Sequence, residues 1–255
     1  MTKLLPRSSG AAALLALLPA LMLVAGAAGA QCPTPPEVHI PPPPAAPLNI
    51  DIVKRQLRDY HDKDYAADMA AVYAAAQAYV ERRAGEVKNP AVVLDIDETS
   101  LSNWPNISAD DFGFVSGGRC DDLPSGPCGF NAWILQAKAE AFPPALRFFN
   151  AARSKGVAIV FITGRRDNQR QATLWNLDQA GYQGWEKLIT RPDRDEFKTA
   201  RAYKSTMRNE FFAGSRFTLI ANIGDQQSDI EQEPGIAGGK AECGFKLPNP
   251  FYFIP

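Results

Sequence analysis

From about residue 90 onward the chain alternates between short apolar runs and stretches with helical spacing. The apolar runs are "AVVLD" (91–95), "VAIVFITG" (157–164), "KLIT" (187–190) and "FTLIANIGD" (217–225). Between them lie a helical pattern over 143–155, then "QRQATLWNLDQAG", then "TARAYKSTMRNEFFA". Unbroken apolar runs of this length read as strands covered on both faces. Strand and helix in turn predict an α/β fold with a doubly wound parallel sheet. Such sheets bind ligands at the carboxyl ends of their strands. Ahead of the first run, residues 49–85 are rich in alanine and other helix formers and end in Arg82, Arg83 and Gly85, so one or two helices precede the sheet. The segment at about 100–142, with its prolines, glycines and two cysteines, breaks the alternation and reads as an insertion capping the site.

The first thirty residues have a basic start, an apolar middle interrupted by Pro19, and the small-residue ending Ala28-Gly29-Ala30. They read as a secretory signal peptide, too short and too poorly anchored for a membrane span. Gln31 stands where a lipoprotein signal wants a small residue, which disfavours lipidation of Cys32. Residues 31–48 follow as a proline-rich arm, extended and unable to form a core. The remaining chain, 49–255, suffices for one well-cored domain with an insertion.

Losing the leader removes Lys3 and Arg7 and no acid, which moves the formal charge from −1 to −3. No nucleic-acid-binding surface is implied. Export makes the four cysteines candidates for disulfides. Cys120 and Cys128 flank a turn-rich loop that brings them together, and Cys32 with Cys243 would then tie the arm to the C-terminal region. A zinc site is disfavoured, because the only histidines, His39 and His61, have no close-spaced cysteine pair beside them.

Polar clusters end three of the apolar runs: Asp95-Ile96-Asp97-Glu98-Thr99, Thr163-Gly164-Arg165, and Gly224-Asp225-Gln226-Gln227-Ser228-Asp229. Lys204 lies on the helix before the last of them. Singly, each has a bland reading as a helix cap, a turn or a solvated face. Two carboxylates as close as Asp95 and Asp97 at the end of a buried strand repel each other, and such pairs persist where a cation or a reaction needs them.

In their order, "VVLDIDET", "FITGR", the helical Lys204 and "IGDQQSD" resemble the motifs of the haloacid dehalogenase (HAD) superfamily of aspartate-nucleophile phosphotransferases. More narrowly, "LDIDETSLSN", "YKSTMR", "GDQQSD" and the closing "LPNPFYFIP" resemble the exported acid phosphatases related to plant vegetative storage proteins and to the bacterial class B and class C enzymes. The resemblance runs from about residue 55 to the C-terminus. It implies a HAD-like, Rossmannoid sheet with a small cap, and an Asp at position 97 implies a phosphatase rather than an ion pump or dehalogenase.

The chemistry such residues carry can be stated directly. A carboxylate attacks phosphorus only when the phosphate charge is masked, which calls for a hard divalent cation on oxygen ligands: Mg2+, with Mn2+ as the alternative. Asp95, the backbone carbonyl of Asp97 and Asp225 are the candidate ligands. Asp229 is a further candidate, either on the metal or orienting its waters. Asp95 is the candidate nucleophile and Asp97 the candidate acid for the leaving oxygen. Thr163, Gly164 and Lys204 are candidates for the phosphoryl oxygens. Arg165, Arg166 and Arg208 either reach phosphate or pair with acids. Trp104, Phe112, Phe114, Phe130 and Trp133 read first as the insertion's own small core, and alternatively as a cradle for a flat leaving group.

The function expected is a secreted or periplasmic acid phosphatase acting on small phosphomonoesters, nucleotides among them, through an aspartyl-phosphate. The alternatives are a phosphotransferase using the same intermediate and a catalytically silent storage or binding protein on the same fold. No nucleic-acid partner and no stable membrane insertion are expected.

Overall fold

The computed structural model describes Met1 and residues 31–40 and 49–254. The rest of the expected signal peptide and residues 41–48 of the arm lie outside the described residues. Helix α1 (Ile50–Tyr60) is capped by Asn49, whose side chain accepts the Asp51 N–H. It passes through one π-helical turn (His61–Tyr65) into α2 (Ala66–Ala84), where Gly85 closes the last turn onto Arg82 and Arg83. The π turn carries Tyr65, whose hydroxyl donates to Glu98 at 2.8 Å. Short π turns inside helices recur at functional sites.

The strands are β1 (Pro90–Leu94), β2 (Leu101–Ser102), β3 (Glu140–Ala141), β4 (Ala158–Arg166), β5 (Lys187–Arg191), β6 (Thr218–Gly224) and β7 (Cys243–Lys246). Five form one parallel sheet in the order β5-β4-β1-β6-β7, with β1 central, while β2 and β3 pair antiparallel at the base of the insertion. The insertion adds α3 (Trp104–Ala109) and α4 (Phe130–Gln136). Four helices connect the strands that follow: α5 (Pro143–Ser154), α6 (Arg170–Gln179), α7 (Ala200–Phe212) and the single turn α8 (Gln227–Ile230).

The expected doubly wound sheet is therefore present, and its period of two decides what each face meets. Ala91 and Val93 of β1 and Val160 and Ile162 of β4 pack with Tyr203 and Phe212 of α7. On the opposite face Phe161 stacks on Phe149 of α5, which also meets Tyr182 edge-on. Asp95 follows Leu94, and its N–H continues the ladder to the carbonyl of Ile223. By parity it shares the side of Ala91 and Val93, the side on which α7 carries Lys204.

Both expected disulfides form, Cys32–Cys243 and Cys120–Cys128. The first ties the arm to edge strand β7. The arm is held a second time by His39, which gives its backbone N–H and one ring nitrogen to the buried Asp68 at 2.6 Å each. No helix among the described residues is long and apolar enough to cross a membrane.

Candidate active site

The site lies at the carboxyl ends of β1, β4 and β6. After Asp95 the backbone turns tightly: the N–H groups of Thr99, Ser100 and Leu101 all reach the Ile96 carbonyl. Glu98 takes a left-handed conformation there (φ 51°), a region that non-glycine residues seldom enter. Its side chain, fully buried, accepts from Tyr65 and from the Asn103 backbone and so holds the turn in place. Burial pushes the Glu98 carboxyl up to about 8.

This turn sends the two opening aspartates to different partners. Asp95 receives Lys204 Nζ on Oδ1 at 2.6 Å, and its Oδ2 lies 3.4 Å from the Thr99 hydroxyl. Asp97 is gripped by Arg165, with Nη2 to Oδ1 at 2.7 Å and Nε to both oxygens at 3.1 and 3.2 Å. Asn103 Nδ2 adds a bond at 3.0 Å. Arg165 is thus an acid partner rather than a free phosphate ligand, and it fixes the plane of the Asp97 carboxylate.

Asp225 follows the last residue of β6. Its Oδ1 lies 3.3 Å from the Thr99 hydroxyl, and its Oδ2 accepts from Asn249 Nδ2 and Gln226 Nε2, each at 2.6 Å. Asp229 folds back so that Oδ2 accepts the Gln226 N–H at 2.9 Å and Oδ1 meets Lys204. That fold requires Gly224, because a Cβ there would sit 2.3 Å from the Asp229 side chain. Arg208, also buried, donates to the carbonyls of Ser228, Asp229 and Glu231 and supports α8 from beneath instead of reaching the cavity.

Asp95, Asp225 and Asp229 each bring a carboxylate oxygen within 4.8 Å of the others, all three buried. Against three negative charges stands one lysine. Burial, partly offset by Lys204 and reinforced by Asp229, Asp225 and Asp97, drives Asp95 well above the usual carboxylate range. Burial and then Asp229 push Asp225 up to about 6. Burial alone would lower Lys204, but Asp229 and Asp95 together outweigh it and raise it. The cluster is short of two positive charges, the deficit a divalent cation fills, and its donors are all hard oxygens. Asp97 contributes no carboxylate oxygen to it. Its backbone carbonyl, the atom expected as a ligand, accepts no hydrogen bond among the described residues.

A cavity of about 520 Å3 is lined by Asp95, Asp97, Gly164, Lys204 and Asp225, together with Phe112, Phe114 and Phe130 from the insertion and Phe251, Phe253 and Ile254 from the C-terminal segment. Gly164 faces open space, with nothing within 4 Å of an added Cβ. Thr163 does not line the cavity; it is fully buried, and its hydroxyl accepts the Arg165 N–H at 3.1 Å. The insertion's aromatics divide. Trp133 is buried and bonded to Asn103, as its core should be, while Trp104 stacks on His61 at 3.5 Å outside it, and the three phenylalanines face the cavity.

Thr99, Asn103 and Asn249 also touch the aspartates. Thr99 carried a signal, lying two positions from Asp97 in the same motif. Asn249 carried only its place in "LPNPF", twenty-four residues from the carboxylate it holds.

The family model described as "HAD superfamily, subfamily IIIB (Acid phosphatase)" matches residues 46–255. Acid phosphatase 1 of Solanum lycopersicum is 35% identical over 162 residues, 64% of this chain and 58% of that protein, so the match spans under two thirds of the relative's length. The stem 28 kDa glycoprotein of Glycine max is 32% identical over 197 residues, 76% of this chain and 71% of that one. Among solved structures, the class C acid phosphatase from Bacillus anthracis has the same fold, with a TM-score of 0.57 at 24% identity over 80% of this chain and 86% of that one. The chain belongs to the acid phosphatase family of subfamily IIIB in the HAD superfamily.

Proposed function

We propose that this protein is an exported, Mg2+-dependent phosphatase, with Mn2+ as the alternative metal, that hydrolyses small phosphomonoesters through an aspartyl-phosphate on Asp95. The observation that carries the reading is the buried Asp95, lining the cavity and held by Lys204 beside a cluster two positive charges short. Asp95, Asp225, Asp229 and the Asp97 carbonyl would hold the cation. What the cation supplies when bound is charge compensation for a phosphate that three carboxylates would otherwise repel.

The chain's own groups divide the remaining work. Lys204, anchored between Asp95 and Asp229, orients the nucleophile and presents its ammonium to a phosphoryl oxygen, while Gly164 leaves its backbone open to the same space. Asp97, set by Arg165 and Asn103, gives a proton to the departing oxygen and then takes one from water. The apolar wall suits an aryl or other flat leaving group, a nucleobase among them. The two disulfides accord with an oxidising compartment.

Phosphate release from aryl, sugar and nucleoside monophosphates, measured from about pH 4 to 8 before and after exhaustive chelation, tests the reading. Release that vanishes on chelation and returns with Mg2+ or Mn2+ is expected. Full activity without metal, or none with it, overturns it.

Asn249 is a finer test of the metal reading. It and Gln226 pin Oδ2 of Asp225, which leaves Oδ1 to face the cluster. Groups that orient a metal-binding carboxylate are worth about 10- to 100-fold in affinity. Asn249→Ala is therefore expected to weaken Mn2+ binding by about that factor in an electron-paramagnetic-resonance titration, with the native melting curve as control. Unchanged affinity counts against Asp225 as a ligand.

A further inference from the structure

Arg166 and Arg191 are the last residues of β4 and β5 and are partners in register, so two guanidinium groups stand side by side at the carboxyl edge of the sheet. Both line the cavity above Asp95. One carboxylate serves both: Oδ2 of the largely buried Asp195 accepts from Arg166 Nη1 and from Arg191 Nε, the latter at 2.8 Å, and Oδ1 accepts Arg191 Nη2 at 2.9 Å. The trio keeps a net charge of +1. Arg166 Nη1 also reaches the Pro192 carbonyl and Arg191 Nη2 the Phe197 carbonyl. Arg166 Nε and Nη2 and Arg191 Nη1 have no hydrogen-bond partner among the described residues, and the Arg191 guanidinium lies over the Tyr203 ring, 5.4 Å from its centroid.

Two like charges in one wall repel, as Asp95 and Asp97 do, and an anion between them relieves the repulsion. The acids lining the cavity, Asp95, Asp97 and Asp225, all belong to the phosphate end, and the other two cations are engaged there, Arg165 by Asp97 and Lys204 by Asp95 and Asp229. Away from that end the wall is apolar apart from the arginine pair and a few uncharged amides and hydroxyls.

We propose that Arg166 and Arg191 form a second anion subsite, and that the preferred substrates are phosphomonoesters whose leaving group bears another anionic group, a carboxylate or a second phosphate. The proposal rests on the phosphomonoesterase reading and narrows its substrate class. Arg166 is partly exposed, its side chain 39% accessible, so solvent screening cuts the value of the contact below that of a buried ion pair. A preference of about 10-fold in kcat/KM is expected. It should appear in KM, since the contact is the same in ground and transition states.

The test uses the intact protein and phosphate esters of ω-hydroxy acids and of diols, from short to long chains, each compared with the uncharged ester of the same length; the diol bisphosphates separate a second phosphate from a carboxylate. At one length or more the native protein should favour the charged ester about 10-fold through KM. Arg166→Met and, independently, Arg191→Met should bring that ratio close to one, whatever each does to the uncharged ester. Hydrolysis of the whole series with a native ratio at or below one overturns the subsite and leaves the phosphatase reading standing. A preference that survives in both folded variants also overturns it. No hydrolysis of any ester overturns the phosphatase reading itself.

Discussion

Asp95→Asn is expected to abolish phosphate release from aryl and alkyl phosphates alike, by roughly 10⁴-fold or more, because it removes the cavity-lining carboxylate that Lys204 orients. The substitution keeps the shape of the side chain and its place beside Lys204, and Lys204 keeps Asp229 as its counter-ion, so the fold should hold. An amide is a poor nucleophile, and no covalent phosphoryl-enzyme should form. The measurement is acid-quench trapping of labelled phosphate on the protein, with circular dichroism to establish folding. Native-like labelling of Asp95→Asn would remove Asp95 from the nucleophile's role and point to another carboxylate of the cluster.

Asp97→Asn is expected to fail differently. Its carboxylate is not in the buried cluster but on Arg165 and Asn103, at the edge of the cavity, where a leaving oxygen and later a water can reach it. Loss of a general acid or base costs about 10²- to 10⁴-fold where the step needs a proton. A phenolate departs readily without one and an alkoxide does not. An aryl phosphate should therefore give a burst of phenol about equal to the enzyme present, then a slow phase as the aspartyl-phosphate waits for an activated water. An alkyl phosphate should give no comparable burst. Stopped-flow release of a chromogenic phenol, beside quenched-flow release of an alkanol, separates these cases. Equal damage to both esters in the first turnover would take the proton-transfer role from Asp97.

How much of the site was legible in the sequence followed from how local each signal was. Asp95, Gly164 and Asp225 each end an apolar run and Asp97 lies two residues beyond one, and a strand-end polar residue in an alternating α/β chain is legible because the sheet sends every carboxyl end to one edge. Thr163, legible in the same way, turns to the Arg165 N–H and not to the cavity. Lys204 was legible through its motif and its helix. The aromatic insertion was only half legible, because an apolar ring in a Gly- and Pro-rich loop carries no mark of whether it faces inward or toward a cavity. Arg165 and Arg166 are adjacent and identical in kind, yet successive residues of an extended chain point to opposite sides, so one grips Asp97 and the other shares Asp195.

Strand β7 and the turn α8 escaped the pattern for another reason. Four residues, "CGFK" or "QSDI", are too few to establish a period, and what makes them regular is pairing with β6 and support from Arg208.

By itself the sequence determined the parallel α/β architecture, the order of its longer elements, the closeness of Cys120 to Cys128 and the edge on which chemistry would gather, because each rests on periodicity, on spacing or on residues near in the chain. Only the tertiary structure decided that Asp229 joins Asp95 and Asp225, that Asp97 belongs to Arg165, that Asn249 steadies a carboxylate from the far end of the chain, and that Arg166 and Arg191 share one acid. Those relations join residues on different elements, and their energies depend on distances of a few ångströms and on burial that exist only once the sheet and its crossovers have packed.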